Sequence, residues 1–200
     1  MNDITTLESI RKLQIIGATL KKISEIGVQY VTLDDIAMEA GLSKGGIAYY
    51  YASKELLIRE AFREFFDRIF QRSRETMDRY MDPLDKLLSF EWLYNWNDPE
   101  IDIGYSMLFD CMSMAGHDAD FQKMYHEWVE NWISLLVVAV RDGAEAGEFA
   151  ISDIDGTARA VSSIYHGIAT RWYLDKNSHS TEWAVSYAQK AIRGLLNLKE

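Results

Sequence analysis

The chain has 200 residues, of which 48% are hydrophobic, and a formal net charge of −10 at pH 7. This apolar content is typical of an ordered globular protein and excludes an intrinsically disordered chain. The single cysteine, Cys111, excludes a disulfide framework and a cysteine-based zinc site. The first residues lack a basic region followed by an apolar core, and no apolar run approaches the roughly 20 residues that span a bilayer. We therefore expect a cytoplasmic protein without a membrane segment.

An apolar stripe at helical spacing predicts a helix at the start of the chain. Its members are Ile10, Leu13, Ile16, Leu20 and Ile23. Gly27 follows the stripe and ends it. We expect this helix to cover the core of the segment that comes next.

The segment from Val31 to Leu57 predicts two short helices joined by a glycine turn, with the start of a further helix behind them. Thr32 and Asp35 have the spacing of a capping box, which places a helix start at about residue 33. Gly41 supplies the permissive backbone that a sharp exit turn needs.

The second short helix and the start of the next one carry small and basic residues. Ser43 is placed to cap the second helix, and Gly45 and Gly46 in its first turn let the backbone approach another surface. Ser53 is placed to cap a helix that begins with Lys54, so backbone amides, a helix dipole and an ammonium group converge on one point suited to a phosphate. This pattern predicts a helix-turn-helix that enters the DNA major groove.

In these residues the chain resembles the TetR (tetracycline-repressor-like) family of transcriptional regulators. The residues that carry the resemblance are Gly27, Thr32, Ile36, Ala37, Ala40, Gly41, Ser43, Lys44, Gly45, Tyr49, Tyr50, Tyr51, Ser53, Lys54, Glu55, Leu56 and Leu57. They lie within about the first quarter of the chain. Ala48 departs from the pattern, because the family often has a tyrosine there; Tyr49 or Tyr50 is a candidate substitute for the missing phosphate contact.

Charge is distributed unevenly along the chain. Residues 1–60 carry seven basic and eight acidic side chains, a net charge of −1, so the remaining 140 residues carry −9 of the total of −10. No acidic residue occurs from residue 40 to residue 54. The residues that we expect to contact DNA are Thr32, Ser43, Lys44, Gly45, Gly46, Ala48, Tyr49, Tyr50 and Lys54. Tyr51 is expected to pack beneath the motif instead.

The rest of the chain predicts further helices. A long one runs from Ser53 to about Tyr80, and the Asp82-Pro83 and Asp98-Pro99 pairs each combine a capping residue with proline at the first helical position. Three more are predicted: one after Asp118 that ends near residues 143–147, one after Ser152 and Asp155, and one from Ser180 to Leu195. The expected fold is all-α, with about nine helices and no strands.

The resemblance implies that two parts of the chain have different functions. Residues 1–54 would form a helix-turn-helix DNA-binding head of three helices, and residues 55–200 a helical ligand-binding and dimerisation domain. The last two helices, residues 152–172 and 180–198, would pair with those of a second copy to give a homodimer. The implied function is that of a ligand-responsive regulator, most often a repressor, released from a palindromic double-stranded DNA operator by a small-molecule effector.

All six tryptophans and four of the eight methionines lie after residue 90. Aromatic and methionine side chains suit a cavity for a bulky apolar or cationic ligand, although such residues also fill helical cores. The candidate lining residues are Trp92, Trp96, Tyr105, Phe109, Met112, Tyr125, Trp128 and Tyr165. Asp110 would offset a ligand's positive charge, face solvent, or pair with an arginine such as Arg171.

We find no catalytic constellation and expect no metal or cofactor. Lys44 precedes Gly45 instead of following the last glycine, which excludes a phosphate-binding P-loop. His126 and Glu130 have helical spacing for a metal site, but the second histidine of a zinc protease motif is missing. The competing hypotheses are a helical small-molecule binding protein without DNA recognition and a helical enzyme with an unrecognised site.

Overall fold

The computed structural model describes residues 2–198, and the side chains of residues 7–198. Nine α-helices and one 3-10 helix occur in the described chain, and the only β pairing found there is an isolated bridge between Phe149 and Leu198. The all-α prediction is therefore confirmed. In chain order, the helices are α1 (Asn2–Ile26), α2 (Leu33–Ala40), α3 (Lys44–Tyr50), α4 (Lys54–Met77), α5 (Pro83–Leu88), the 3-10 helix η1 (Phe90–Tyr94), α6 (Pro99–Ala115), α7 (Ala119–Glu145), α8 (Ile154–Leu174) and α9 (Thr181–Leu196).

The predicted caps of the helix-turn-helix are present. The Thr32 hydroxyl accepts from the backbone N–H of Asp35, and the Asp35 carboxylate accepts from the N–H of Thr32 in return. Gly41 ends α2 with a left-handed φ of 63°, a conformation that glycine adopts without a steric penalty. Ser43 caps α3 by accepting from the N–H of Gly46 at 3.0 Å.

Two predicted helix ends lie elsewhere. Helix α4 ends at Met77, before Tyr80, and the residues between them form turns that lead to Asp82. Asp82 has an extended backbone, as is usual for a residue that precedes proline. Helix α8 is capped by Asp153 and not by Ser152.

The cap of α8 depends on Gly156, which has no side chain. The Asp153 carboxylate accepts from the N–H of Gly156 at 2.8 Å, where a negative charge is also favoured by the helix dipole. A Cβ atom added at Gly156 would lie 2.1 Å from that carboxylate. The glycine therefore leaves free the space that the capping carboxylate of Asp153 occupies.

Only part of the predicted stripe on α1 is buried. Ile16, Leu20 and Ile23 are buried, whereas Ile10 is 55% and Leu13 is 56% exposed. Helix α1 has 25 residues and α2 and α3 have eight and seven, so helices of about 12 Å cannot cover one of about 37 Å. The stripe therefore meets the core with its last three members only.

The chain forms two compact units. Unit 1 contains Met1–Arg68 and Asp102–Tyr125, and unit 2 contains Ile69–Ile101 and His126–Glu200. The predicted boundary after residue 54 separates a DNA-binding segment from a ligand-binding and dimerisation segment. This assignment of functions remains a prediction.

Candidate nucleic-acid interface and effector region

Helix α3 has one buried side chain and an outer face of exposed residues. Ile47 is fully buried, whereas the side chain of Tyr49 is 82% exposed. Lys44, Gly45 and Ala48 are exposed as well. The short helix is thus attached to unit 1 by Ile47 and presents its other residues to solvent, as contact with a DNA groove requires.

Three of the four predicted phosphate-contacting residues, all except Tyr50, lie at helix starts. Thr32 and Ser43 are exposed caps of α2 and α3, and Lys54 is the half-buried first residue of α4. Ser53 accepts from the N–H of Leu56 at 3.2 Å and so caps α4 as predicted. Helix starts carry partial positive charge, which favours a phosphate beside them.

The three consecutive tyrosines at the end of α3 have different environments. The rings of Tyr49 and Tyr50 pack edge to face with centroids 5.0 Å apart, and Tyr50 is half-buried. Burial, with Glu60 and Glu64 nearby, raises the pKa of Tyr51 to about 12. Tyr51 is therefore partly covered, and its packing beneath the motif remains a prediction.

Lys44 has an acidic partner that the sequence did not indicate. Its Nζ lies 2.9 Å from a carboxylate oxygen of Asp34, and both side chains are exposed. Asp34 is in the first turn of α2, ten residues earlier in the chain. The ammonium group is consequently balanced by a carboxylate when no DNA is bound.

Asp110 has a hydrogen-bond partner that the sequence did not indicate. Its Oδ2 accepts a hydrogen bond from the backbone N–H of Val28 at 2.9 Å. Val28 follows Gly27, which leaves α1 with a φ of 83°. Burial raises the pKa of Asp110, although the hydrogen bond from Val28 acts in the opposite direction. A side chain of α6 thus holds the turn that leads into the helix-turn-helix.

Helices α6 and α7 also contact the start of α4 within unit 1. The Arg59 guanidinium lies 2.6 Å from Asp120 and 3.4 Å from Asp118. The rings of Phe62 and Phe121 pack edge to face with centroids 5.3 Å apart. These contacts attach the turn between α6 and α7 to the helix that follows the DNA-binding motif.

The eight residues predicted to line a ligand cavity belong to both units. Those in unit 1 are Tyr105, Phe109, Met112 and Tyr125, and those in unit 2 are Trp92, Trp96, Trp128 and Tyr165. In unit 1, the rings of Tyr105 and Phe109 have centroids 6.3 Å apart, and Met112 is 46% exposed. Their role as a lining remains a prediction.

Trp128 and Tyr165 belong to an aromatic cluster of unit 2. Tyr165 and Trp132 are buried with ring centroids 5.8 Å apart, and the Tyr165 hydroxyl donates to the carbonyl of Leu87 at 2.7 Å. The ring of His166 lies 5.4 Å from both Trp128 and Trp132. Burial lowers the pKa of His166 to about 4, so this histidine is neutral at physiological pH.

Trp132 and His166 were not among the predicted site residues. Trp132 follows Trp128 by four residues, so helical spacing was the available signal for Trp132. His166 directly follows Tyr165, and adjacent residues do not share a helix face, so spacing gave no signal for His166. We define the aromatic cluster as Trp128, Trp132, Tyr165 and His166.

The two other tryptophans of the predicted lining are held by cations of the chain itself. The Arg72 guanidinium lies 4.1 Å from the ring centroid of Trp92. The ring of Trp96 stacks on Trp172 with centroids 4.0 Å apart, and Nζ of Lys176 lies 3.6 Å from the Trp96 centroid. Both indoles are thus engaged by intramolecular cation–π contacts.

Among the described residues, no three histidine, cysteine or acidic side chains form a group that would hold a metal ion. Glu130, considered with His126 as a metal pair, instead holds the Arg159 guanidinium at 2.6 and 2.8 Å. Within residues 2–198, the helices are too short or too polar to cross a membrane.

The fold and the exposed face of α3 define a helix-turn-helix DNA-binding protein with a helical second part. Residues 15–61 match the family model for bacterial regulatory proteins of the tetR family. Residues 98–197 match the model for the C-terminal part of BetI-type transcriptional repressors. The chain belongs to the TetR family of transcriptional regulators.

Individual relatives agree with this assignment. The transcriptional repressor KstR2 of Rhodococcus jostii is 25% identical over 200 residues, which cover 96% of this chain and 95% of the relative. The regulator BetI of Stenotrophomonas maltophilia is 37% identical over 86 residues, which cover 40% and 42% of the two chains.

Solved structures show the same fold. A transcriptional regulator from Saccharomonospora viridis in complex with choline superimposes with a TM-score of 0.83 at 21% identity, covering 92% of this chain and 96% of that one. A TetR-family regulator from Cytophaga hutchinsonii gives a TM-score of 0.82 at 20% identity, with 95% and 94% covered.

Proposed function

We propose that this regulator is a homodimeric repressor that leaves a near-palindromic operator when a small molecule binds its second domain. The observation that carries the proposal is the outer face of α3, where Lys44, Ala48 and Tyr49 are exposed while Ile47 holds the helix in place. A two-fold dimer would present two such faces to successive major grooves.

The proposed contacts follow from the position of each residue on the motif. Lys44, Gly45, Gly46 and Tyr49 lie on or near the exposed face of α3 and would meet bases and the adjoining backbone, with Ala48 against a thymine methyl group. Thr32, Ser43, Tyr50 and Lys54 lie at helix ends and would hold phosphates, which sets the register of the protein on the duplex.

The proposed effector is a bulky molecule that is apolar or cationic. The aromatic cluster supports it, since tryptophan and tyrosine faces attract cations and His166 carries no competing charge at neutral pH. The choline complex of a structural neighbour favours a quaternary ammonium group within this class. Of the eight candidate lining residues, Trp128 and Tyr165 have this support.

The proposed dimer uses α8 and α9. Gly167 on α8 and Gly194 on α9 are exposed, and a Cβ atom added at either would meet nothing within 4 Å. Tyr187 on α9 is 52% exposed. Small residues and an exposed aromatic ring on these two helices permit the close approach of helices from a second copy.

The response requires that effector and DNA favour different conformations. Helix α4 begins beside the motif in unit 1 and ends in unit 2, so its displacement would change the spacing of the two heads. A difference in effector affinity of a few kcal/mol between the two states is sufficient for such a switch.

The test measures the binding of the protein to labelled duplexes from the promoter regions beside its own gene. Fluorescence polarisation at low ionic strength is the readout. We expect saturable binding to one duplex as a dimer, and release of that duplex by choline or a related quaternary ammonium compound. Binding of the compound without retention of any duplex would instead identify a helical small-molecule binding protein. Mass measurement by light scattering decides the oligomeric state, and a monomer would contradict the proposed dimer.

A further inference from the structure

The end of α2 is held by a side chain of α1. The amide Nε2 of Gln14 donates a hydrogen bond to the backbone carbonyl of Ala40 at 2.6 Å. Ala40 is the last residue of α2 and is buried. The last carbonyls of a helix have no acceptor role within that helix, so each needs a donor from elsewhere. Gln14 supplies this donor to Ala40.

The backbone of the turn after α2 satisfies other carbonyls of the helix. Its N–H groups donate to the carbonyls of Ala37 and Met38 at 2.9 and 3.2 Å. Among the described residues, no backbone N–H donates to the carbonyl of Ala40. The side chain of Gln14 therefore completes a helix cap that the turn itself leaves open.

The Gln14 amide is in turn oriented by a neighbour on α1. The guanidinium of Arg11, three residues earlier, donates to the side-chain oxygen of Gln14 at 2.8 Å. An amide has one accepting oxygen and one donating nitrogen, so an acceptor bond at the oxygen leaves the nitrogen to face the carbonyl of Ala40. Arg11 thereby selects the orientation in which Gln14 caps α2.

These two bonds bear on α3 because the turn leads directly into it. Residues 41–43 follow Ala40, and α3 begins at Lys44. Ile47 is the one buried side chain of this seven-residue helix. A single side-chain anchor leaves a short helix free to rotate about it, so the restraint at the turn helps to set the direction of the outer face.

We propose that Gln14 is a positioning residue for DNA recognition, oriented by Arg11 and acting through the carbonyl of Ala40. Loss of its hydrogen bond leaves α3 folded and lets the outer face adopt orientations that do not fit a major groove. Affinity for the operator then falls with the fraction of molecules in the fitting orientation. Non-specific binding depends on phosphates and tolerates this variation. The role rests on the proposed operator binding of the original chain.

The experiment compares the original chain with Gln14→Met, which keeps the length of the side chain and removes the N–H donor. Fluorescence polarisation measures binding to the promoter duplex that the original chain retains and to a duplex of the same bases in scrambled order. We expect a loss of about three- to tenfold on the promoter duplex, the size that one ordinary hydrogen bond supports, and less than about twofold on the scrambled duplex. Gln122→Met is the matched control, because Gln122 is an exposed glutamine of α7 in the same unit. It should leave both affinities unchanged.

A purely structural role for Gln14 predicts a different result. It would lower the unfolding temperature and leave the ratio of the two affinities unchanged in folded protein, and circular dichroism at the assay temperature shows whether each variant is folded. Hydrogen exchange is a readout without DNA: the amides of residues 41–47 should exchange faster in Gln14→Met, and those of α9 should not. An unchanged affinity ratio, or unchanged exchange in residues 41–47, would overturn the role of Gln14. Failure of the original chain to retain any duplex contradicts the operator binding instead, and the exchange measurement then still tests the hold of Gln14 on the turn.

A double-mutant cycle separates the contribution of Arg11. An arginine that acts only by orienting the amide makes Arg11→Ala harmful to operator binding in the original chain and without further effect in Gln14→Met. A direct contact between Arg11 and a phosphate would persist in Gln14→Met and reduce the slope of log affinity against log salt by about 0.9. That outcome would overturn Arg11 as the residue that orients Gln14.

Discussion

The carboxylate of Asp110 on α6 accepts a hydrogen bond from the backbone N–H of Val28, 82 residues earlier in the chain. This bond joins the middle of the sequence to the turn that precedes the helix-turn-helix. Both residues belong to unit 1, which combines the motif with parts of α6 and α7. The compact body around the DNA-binding helices therefore includes residues from the domain to which we assign the effector.

We predict that Asp110→Ala lowers the free energy of unfolding by about 1–3 kcal/mol, because the part-buried N–H of Val28 loses its acceptor. Hydrogen exchange at the Val28 amide should accelerate relative to that of its neighbours. Urea titration and amide exchange measure the two effects. Asp110→Asn is the control, since its amide oxygen still accepts a hydrogen bond. Unchanged exchange at Val28 in Asp110→Ala would show that the bond does not protect this amide.

We predict that Asp34→Asn strengthens binding to every duplex by about two- to tenfold, because Lys44 then has no ion pair with residue 34 to break before it contacts DNA. The slope of log affinity against log salt should steepen by up to about 0.9, the value for one additional phosphate contact. Stability should change little, since exposed ion pairs contribute about 0–1 kcal/mol. Glu25→Gln, another exposed acidic residue of the head, is the control for net charge. An affinity gain of the same size in Glu25→Gln would assign the effect to overall charge.

The sequence predicted the local parts of this interface well and its long-range parts poorly. Thr32, Ser43 and Ser53 were identified as caps because a cap and the amide it serves are three residues apart. The pairing of Lys44 with Asp34 and of Asp110 with Val28 depends on how helices pack, and no periodic pattern records such contacts. The spacing of Ile10 and Leu13 reports the face of a helix on which they lie and not how far its neighbours extend, and both side chains are exposed.

We predict that Tyr49→Ala changes the order of preference among operator variants, because its exposed ring lies on the outer face of α3. Binding to a set of single-base operator variants provides the measurement, and the discrimination lost at one position should be about 1–3 kcal/mol. Lys54→Ala is the comparison: as a phosphate contact it should weaken all variants equally and reduce the salt dependence. Equal losses on every sequence for Tyr49→Ala would refute its role as a base reader.

We predict that His166 causes the free energy of unfolding to fall as the pH drops below about 6.5. The unfolded chain takes up a proton on this histidine near pH 6.5, whereas burial delays protonation of the folded state to about pH 4. The free energy of unfolding therefore keeps this contribution above pH 6.5 and loses it progressively down to pH 4, by at most about 3 kcal/mol. His166→Phe should retain the aromatic packing and remove this part of the pH dependence.

Urea unfolding of the original chain and of His166→Phe at pH 7 and pH 5 measures the difference. Other acid-sensitive groups affect both proteins alike, so the comparison isolates His166. Identical changes between the two pH values would contradict the prediction and would mean that the pKa of His166 is the same in the folded and unfolded states.

Ile47 is the only buried side chain of α3, and this has a consequence for how such a regulator acquires new targets. Replacing Ile47 by alanine removes core contacts worth about 2–5 kcal/mol, whereas substitutions at exposed positions typically change stability by less than about 0.5 kcal/mol. Positions 44, 48 and 49 can therefore vary between descendants of this chain at little structural risk. Within the same two turns of helix, one residue keeps the helix attached to the protein, and different residues would determine which genes are regulated.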